Sequence, residues 1–126
     1  MSIPVWIDKK ILIVEDDEIS LEYLAELLAP TNVQIIVAKD GREAIEKCTS
    51  ANGIDLILMD VRLPNLSGRE AMLEIKKHKP EVPVIAQTAF AMSGDKEKYI
   101  NLGFDDYISK PIIMEEMMDV ISRFFL

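Results

Sequence analysis

The chain has 126 residues, with 14 Lys+Arg against 22 Asp+Glu and a formal net charge of −8. Hydrophobic residues make up 49% and charged residues 29%, the balance of a folded globular chain of one domain, not of a disordered one. The acidic excess excludes a binder of nucleic-acid phosphates, which needs a basic face, and no run reaches the roughly 18 apolar residues of a membrane span.

Residues 1–9 read as a lead-in or the tail of a linker, without the basic start and long apolar stretch of a signal peptide. Trp6 within them either covers one end of the core or belongs to the linker. Ile-Leu-Ile-Val at 11–14 is a β-branched run that predicts a first strand. Residues 18–29 carry Leu21, Leu24, Ala25 and Leu28 at helical spacing, and Pro30 is expected to stop that helix. Residues 33–38 predict a second strand. Asp40 with Glu43 three residues on predicts a helix start, with Ala44, Ile45 and Cys48 turned inward and an end near 51–53. As the lone cysteine, Cys48 can form no intramolecular disulfide, which suits a reducing, cytoplasmic setting.

Residues 56–59 (Leu-Ile-Leu-Met) are apolar on both faces, the mark of a central parallel strand. Ser67 with Glu70 repeats the capping pattern and opens a helix to about residue 79. There His78 sits among lysines, where cations suit the helix dipole. Residues 82–86 predict a fourth strand, 95–102 a short polar helix stopped by Gly103, and 107–109 a fifth strand. Met114, Met117, Met118, Ile121, Phe124 and Phe125 then fall on one face of a final helix.

Strand and helix alternate five times. This predicts an α/β fold, a flavodoxin-like three-layer sandwich: a five-stranded parallel sheet in the order 2-1-3-4-5 with five helices. In such sheets chemistry gathers beyond the carboxyl ends of the strands. Glu15, Asp16 and Asp17 follow the first strand and Asp60 the third. Gln87, Thr88 and Ala89 follow the fourth, and Lys110 and Pro111 the fifth. Taken singly, each has an ordinary reading as a solvated loop, turn or surface charge. Four such groups at four strand ends are a pattern. Clustered carboxylates repel, and a divalent cation resolves the conflict. An all-oxygen ligand set favours Mg²⁺, Mn²⁺ or Ca²⁺ over Zn²⁺, and a sparse open site suits Mg²⁺. A metal, a lysine and a threonine hydroxyl around one aspartate form a phosphoryl-transfer constellation with Asp60 as nucleophile.

The segments ILIVEDDE (11–18), DLILMDVRLPNLSG (55–68), PVIAQTAFA (83–91) and DDYISKPI (105–112) resemble the receiver domain of bacterial two-component response regulators, from about residue 10 to 126. The resemblance implies that Asp60 is the phosphoacceptor. It implies that Asp16 ligates Mg²⁺ (or Mn²⁺) directly, Glu15 partly through water, and that Asp60 and the backbone carbonyl of Arg62 complete the protein's ligands. Thr88 and Lys110 would bind the phosphoryl oxygens, with Ala89 kept small beside them. Lys110–Pro111 would be a cis peptide, and Tyr107 the aromatic residue that changes rotamer as Thr88 moves. Arg62 and Phe90 flank the path of an attacking water, so bulk there is expected to slow hydrolysis. Ile19 and Tyr23, four apart on the first helix, are either scattered surface residues or a docking patch; in the family a phosphohistidine-bearing helical domain docks near here.

The function expected is therefore a phosphoacceptor switch. Mg²⁺-dependent transfer from a histidine kinase or histidine phosphotransfer domain to Asp60 would change the surface around the fourth helix, fifth strand and last helix, a face suited to a homodimer. The chain would phosphorylate and slowly dephosphorylate itself without being an enzyme for an external substrate, and would touch neither nucleic acid nor membrane. The phrasing of residues 87–112 resembles receivers at the C-termini of hybrid sensor histidine kinases, whose parent would be anchored in the inner membrane. A stand-alone response regulator is the alternative. An aspartate-nucleophile Mg²⁺ hydrolase is a third reading. It is disfavoured because the nucleophile of such enzymes follows the first strand. A flavin or nucleotide binder lacks its phosphate-cradling loop here.

Overall fold

Five aliphatic runs form five parallel strands, β1 (Lys10–Val14), β2 (Gln34–Ala38), β3 (Leu56–Asp60), β4 (Val84–Thr88) and β5 (Asp106–Ser109), in the order β2-β1-β3-β4-β5. The helices are α1 (Glu18–Leu28), α2 (Gly41–Ser50), α3 (Gly68–His78), α4 (Asp95–Leu102) and α5 (Met114–Ser122). The computed structural model describes residues 3–50, 53–89 and 95–125. This is the flavodoxin-like sandwich that the alternation predicts.

Strand parity divides the core. Leu12, Val14, Ile57, Met59, Val84 and Ala86 face α2 and α3, packing on Ala44, Cys48, Ala71, Met72 and Ile75. Ile11, Ile13, Leu56, Leu58, Ile85 and Ile108 face α1 and α5, packing on Leu24, Leu28, Met117, Met118 and Ile121. Every residue of β3 and β4 is buried, which is why those strands read as unbroken apolar runs.

Most boundaries fall within a residue or two of the sequence reading, and the differences at β4, α1 and α5 have clear physical causes. Strand β4 begins and ends two residues later than expected. Pro83 has no N–H for the ladder, though its carbonyl accepts from Ile57 N at 2.9 Å, and the ladder proper starts at Val84. Helix α1 stops at Leu28, and Pro30 lies inside a 3₁₀ turn, Ala29–Thr31, that tightens the exit. Helix α5 stops at Ser122, yet Phe124 and Phe125 still pack on the core through a turn closed by Phe124 N to Ile121 O at 3.0 Å. Trp6 is core: it is 6% exposed, its backbone N–H donates to Thr31 O at 2.7 Å, and its ring meets that of Phe125 edge-on at 5.1 Å.

Register sets the active rim. Val14 pairs with Met59, Asp60 with Gln87, and Thr88 with Ser109. Neighbouring strands among β1, β3, β4 and β5 therefore end within one rung of each other at one edge. Glu15 N to Ala38 O at 3.0 Å and Lys110 N to Thr88 O at 2.7 Å extend the ladder one step into the loops.

Candidate functional site

At this rim one carboxylate oxygen each from Glu15, Asp16 and Asp60 lies within 4.8 Å of the other two. Glu15 is 1% exposed and Asp60 8%, whereas Asp16 is open to solvent. The ammonium of Lys110 stands 3.1 Å from Glu15 Oε1 and 3.6 Å from Asp60 Oδ2. The other oxygen of Asp60, Oδ1, accepts from the backbone N–H of Arg62 at 2.9 Å. Asp60 is thus held by a charge on one side and a backbone dipole on the other, while its strand fixes its height.

Burial, then the nearby charge of Asp60, pushes the Glu15 carboxyl above its ordinary range, although bonds from Lys110 and Asp17 N pull the other way. Burial alone would lower Lys110. The charges of Asp60 and Glu15 more than offset it and hold the ammonium above its usual value. One ammonium among three carboxylates leaves negative charge uncompensated. The donor set is three carboxylate oxygens near the surface with no thiol or imidazole, which fits a hard divalent cation such as Mg²⁺.

Asp17, which the sequence reading gave only local charge, caps α1. Its Oδ2 accepts from Ser20 N at 3.0 Å and Ser20 Oγ at 2.7 Å, and these bonds lower its carboxyl. It is thereby engaged at the helix start and is not one of the three clustered carboxylates, and its place immediately before the first periodic helical residue was the signal for that. Arg62 is exposed, and Ala89 is exposed next to Thr88. Phe90 lies outside the described residues. The Lys110–Pro111 peptide is cis.

Ile19 is 77% exposed and Tyr23 45%, but the two are not equivalent. Tyr23 donates its hydroxyl to Ile112 O at 2.6 Å, tying α1 to the segment after Pro111. With Ser20, Leu24, Gln87 and Pro111 it walls a cavity of about 150 Å³. The Gln87 amide lines that cavity, is fully buried and bonds no protein group among the described residues.

The sequence reading passed over Tyr99 on α4. Its hydroxyl donates to Thr88 Oγ1 at 3.5 Å. Its ring stacks on Tyr107, with centroids 6.0 Å apart and planes at 20°, and meets Phe104 nearly edge-on. The signal was there: Tyr99 is the aromatic residue in a helix that is polar apart from it, Ile100 and Leu102.

Comparison with known proteins gives a consistent picture. Residues 11–122 match the model of the response regulator receiver domain. A hybrid signal transduction histidine kinase of Dictyostelium discoideum is 37% identical over 124 residues, covering 92% of this chain but only 7% of that protein. The polar-differentiation response regulator DivK of Brucella ovis is 36% identical over 118 residues, covering 92% of this chain and 95% of that one. The receiver domain of a sensor histidine kinase from Pseudomonas aeruginosa superposes with a TM-score of 0.82 at 33% identity, covering 92% and 96% of the two chains; that structure has a magnesium ion coordinated in its active-site cleft.

Proposed function

The chain belongs to the response regulator receiver domains of two-component phosphorelays, and from that premise we propose that Asp60 is its phosphoacceptor. The observation that carries this reading is the convergence of Glu15, Asp16, Asp60 and Lys110 on one rim. A carboxylate oxygen of Asp60 attacks the phosphorus of a phosphohistidine. The P–N bond breaks, its electron pair stays on the imidazole, and an acyl phosphate forms. Glu15, Asp16, Asp60 and the carbonyl of Arg62 would hold Mg²⁺, which neutralises phosphoryl charge when bound; Mn²⁺ suits the same oxygens. Lys110 balances the charge of about −1.5 to −2 that the phosphoryl group brings, and Thr88, beside small Ala89, donates its hydroxyl to a phosphoryl oxygen. Tyr107 turns inward as Thr88 moves, and the surface of α4, β5 and α5 changes, a shift between two states driven by one local charge. Self-association through that face in the phosphorylated form is part of the proposal. Loss of the group is attack by water at phosphorus, which returns the carboxylate and inorganic phosphate; the side chain of Arg62 slows it by bulk.

Incubation with Mg²⁺ and acetyl phosphate, followed by intact-mass analysis, tests the acceptor. Wild type gains one phosphoryl group, and Asp60→Asn or excess chelator abolishes the gain. Label that persists in Asp60→Asn moves the site elsewhere.

The donor is a histidine kinase or histidine phosphotransfer domain, and the exposed Ile19 is where its helix rests. Ile19→Lys should slow transfer from phosphohistidine about tenfold, the weight of roughly 1.4 kcal/mol of lost apolar contact, while labelling by acetyl phosphate is unchanged. Transfer from phosphohistidine to Ile19→Lys at the wild-type rate removes the patch from the account. Residues 10–126 form the receiver, with 1–9 a lead-in that lends Trp6 to the core. Its setting is cytoplasmic, as one module of a hybrid histidine kinase, a reading that the likeness to the Dictyostelium kinase supports; the stand-alone regulator is the alternative, and the near-complete coverage of DivK favours it. Blotting a native extract decides between them, by a band at the size of this chain or at that of a much larger polypeptide.

A further inference from the structure

We propose that Tyr99 is a latch for the resting state. Its hydroxyl holds Thr88 away from Asp60, and its ring holds Tyr107 in place, so Tyr99 sets how readily the site accepts a phosphoryl group. The proposal rests on the reading of Asp60 as phosphoacceptor.

Helix α4 carries no buried residue, and it packs on the core through the partly buried side chains of Tyr99 and Leu102. Tyr99 touches three things that a phosphoryl event must move together. The hydroxyl meets Thr88 at the end of β4, at 3.5 Å. One ring face stacks on Tyr107 of β5. The backbone is α4 itself, with the ammonium of Lys98 5.4 Å from the ring centre. A bond of 3.5 Å between neutral groups is near the outer limit of hydrogen bonding and is cheap to give up. A phosphoryl oxygen is a charged acceptor, and bonds to charged groups are about twice as strong as neutral ones. Once Asp60 is phosphorylated, Thr88 gains by turning towards it. The Tyr99 hydroxyl then loses its partner, and the stack on Tyr107 loses the contact that positioned it. Phosphorylation state is thereby passed to α4 and β5 at once, through a residue that is not among the groups bound to the phosphoryl itself.

The sign follows. The Tyr99–Thr88 bond exists only at rest, so removing it favours the phosphorylated arrangement. Tyr99→Phe keeps the ring and deletes only the hydroxyl. With Mg²⁺ present, calorimetric titration with beryllofluoride should show about twofold tighter binding to Tyr99→Phe than to wild type, the low end of the range for one neutral hydrogen bond, as a stretched one should give. Affinity for Mg²⁺ alone should be unchanged. In a Thr88→Val background the same substitution should have no effect, since the partner is already gone. Beryllofluoride affinity that is unchanged or weaker in Tyr99→Phe overturns the latch, as does an equal shift that persists without Thr88. Wild type that binds no beryllofluoride, or Asp60→Asn that binds it as well as wild type, overturns the reading of Asp60 beneath the proposal, and the latch with it.

Discussion

Glu15 shows how much of a site one side chain can carry. It is almost wholly buried beside Asp60, and its carboxyl lies above its ordinary value of 4.5. The native state therefore holds a proton on Glu15 over a range in which the unfolded chain has released it. Stability contributed by this group is greatest below pH 4.5 and falls as pH rises through the raised native value. Glu15→Gln removes that dependence and keeps an acceptor for Lys110. Without divalent metal at pH 7, Glu15→Gln should unfold at a higher temperature than wild type, and the gap should close as pH falls towards 4.5. The lowered carboxyls of Asp17 and Glu74 act in both proteins and cancel. Mg²⁺ at a hundredfold excess over its wild-type Kd should stabilise wild type by about 2.7 kcal/mol, and the variant, which has lost one carboxylate, by less. Thermal scans across pH measure all of this, and a gap that ignores pH would refute it. That Glu15 is acidic and follows a strand was legible in the sequence. Its near-total burial was not, because it arises from Ala38, Asp60 and Lys110, which come from three other parts of the chain.

The elements themselves were legible where one periodicity dominates, as in β3 or α3, whose Ser67 cap accepts from Glu70 N as the motif implies. They were less legible where proline and packing compete. The two-residue shift of β4 matters because it makes Thr88 the last rung of the ladder instead of a loop residue, and Asp60 ends β3 in the same way. The joint between β3 and α3 also escaped the sequence reading, since contact between a helix start and a strand end carries no local signature. Gly68 opens α3 directly against the Asp60 loop. A Cβ there would stand 2.6 Å from Asp60 O and 2.8 Å from Val61 Cα, both backbone atoms with little freedom to yield. Alanine would gain at most about 1 kcal/mol of helix propensity. Overpacking against rigid backbone costs about 1–3 kcal/mol, and the clash wins. Gly68→Ala should lose about 1–2 kcal/mol in urea denaturation. It should also bind Mg²⁺ more weakly, because the displaced backbone carries Asp60. Unchanged stability and affinity would show that the joint is slack.

On the scale of the whole molecule, the two ends of the chain close the face opposite the reactive rim. Trp6 arrives before β1 and Phe125 after α5. Their rings meet edge-on, and Lys9 lies 5.6 Å from the centre of the Phe125 ring. The sequence left Trp6 open between core and linker, because a single aromatic residue in a nine-residue lead-in has no period to declare its side. Its partner lies at the far end of the chain, and only the folded topology joins them. The cluster seals the base of the α1–α5 layer, where Leu28, Val33 and Phe124 pack around it. Truncating a buried aromatic residue to alanine costs about 3–5 kcal/mol, a large part of the roughly 5–15 kcal/mol that holds a domain of this size together. Trp6→Ala should therefore lower the urea midpoint sharply, and Trp6→Phe, which keeps a ring for Phe125 to meet, should lower it much less. Below the unfolding transition, Mg²⁺ titration of Trp6→Ala should match wild type, because the cation cluster hangs from the other end of the strands. Equal loss in both substitutions would mean that the cluster needs the full width of the indole and not merely a ring for Phe125 to meet. A weakened Mg²⁺ affinity would mean that the base and the rim of the sheet are mechanically joined.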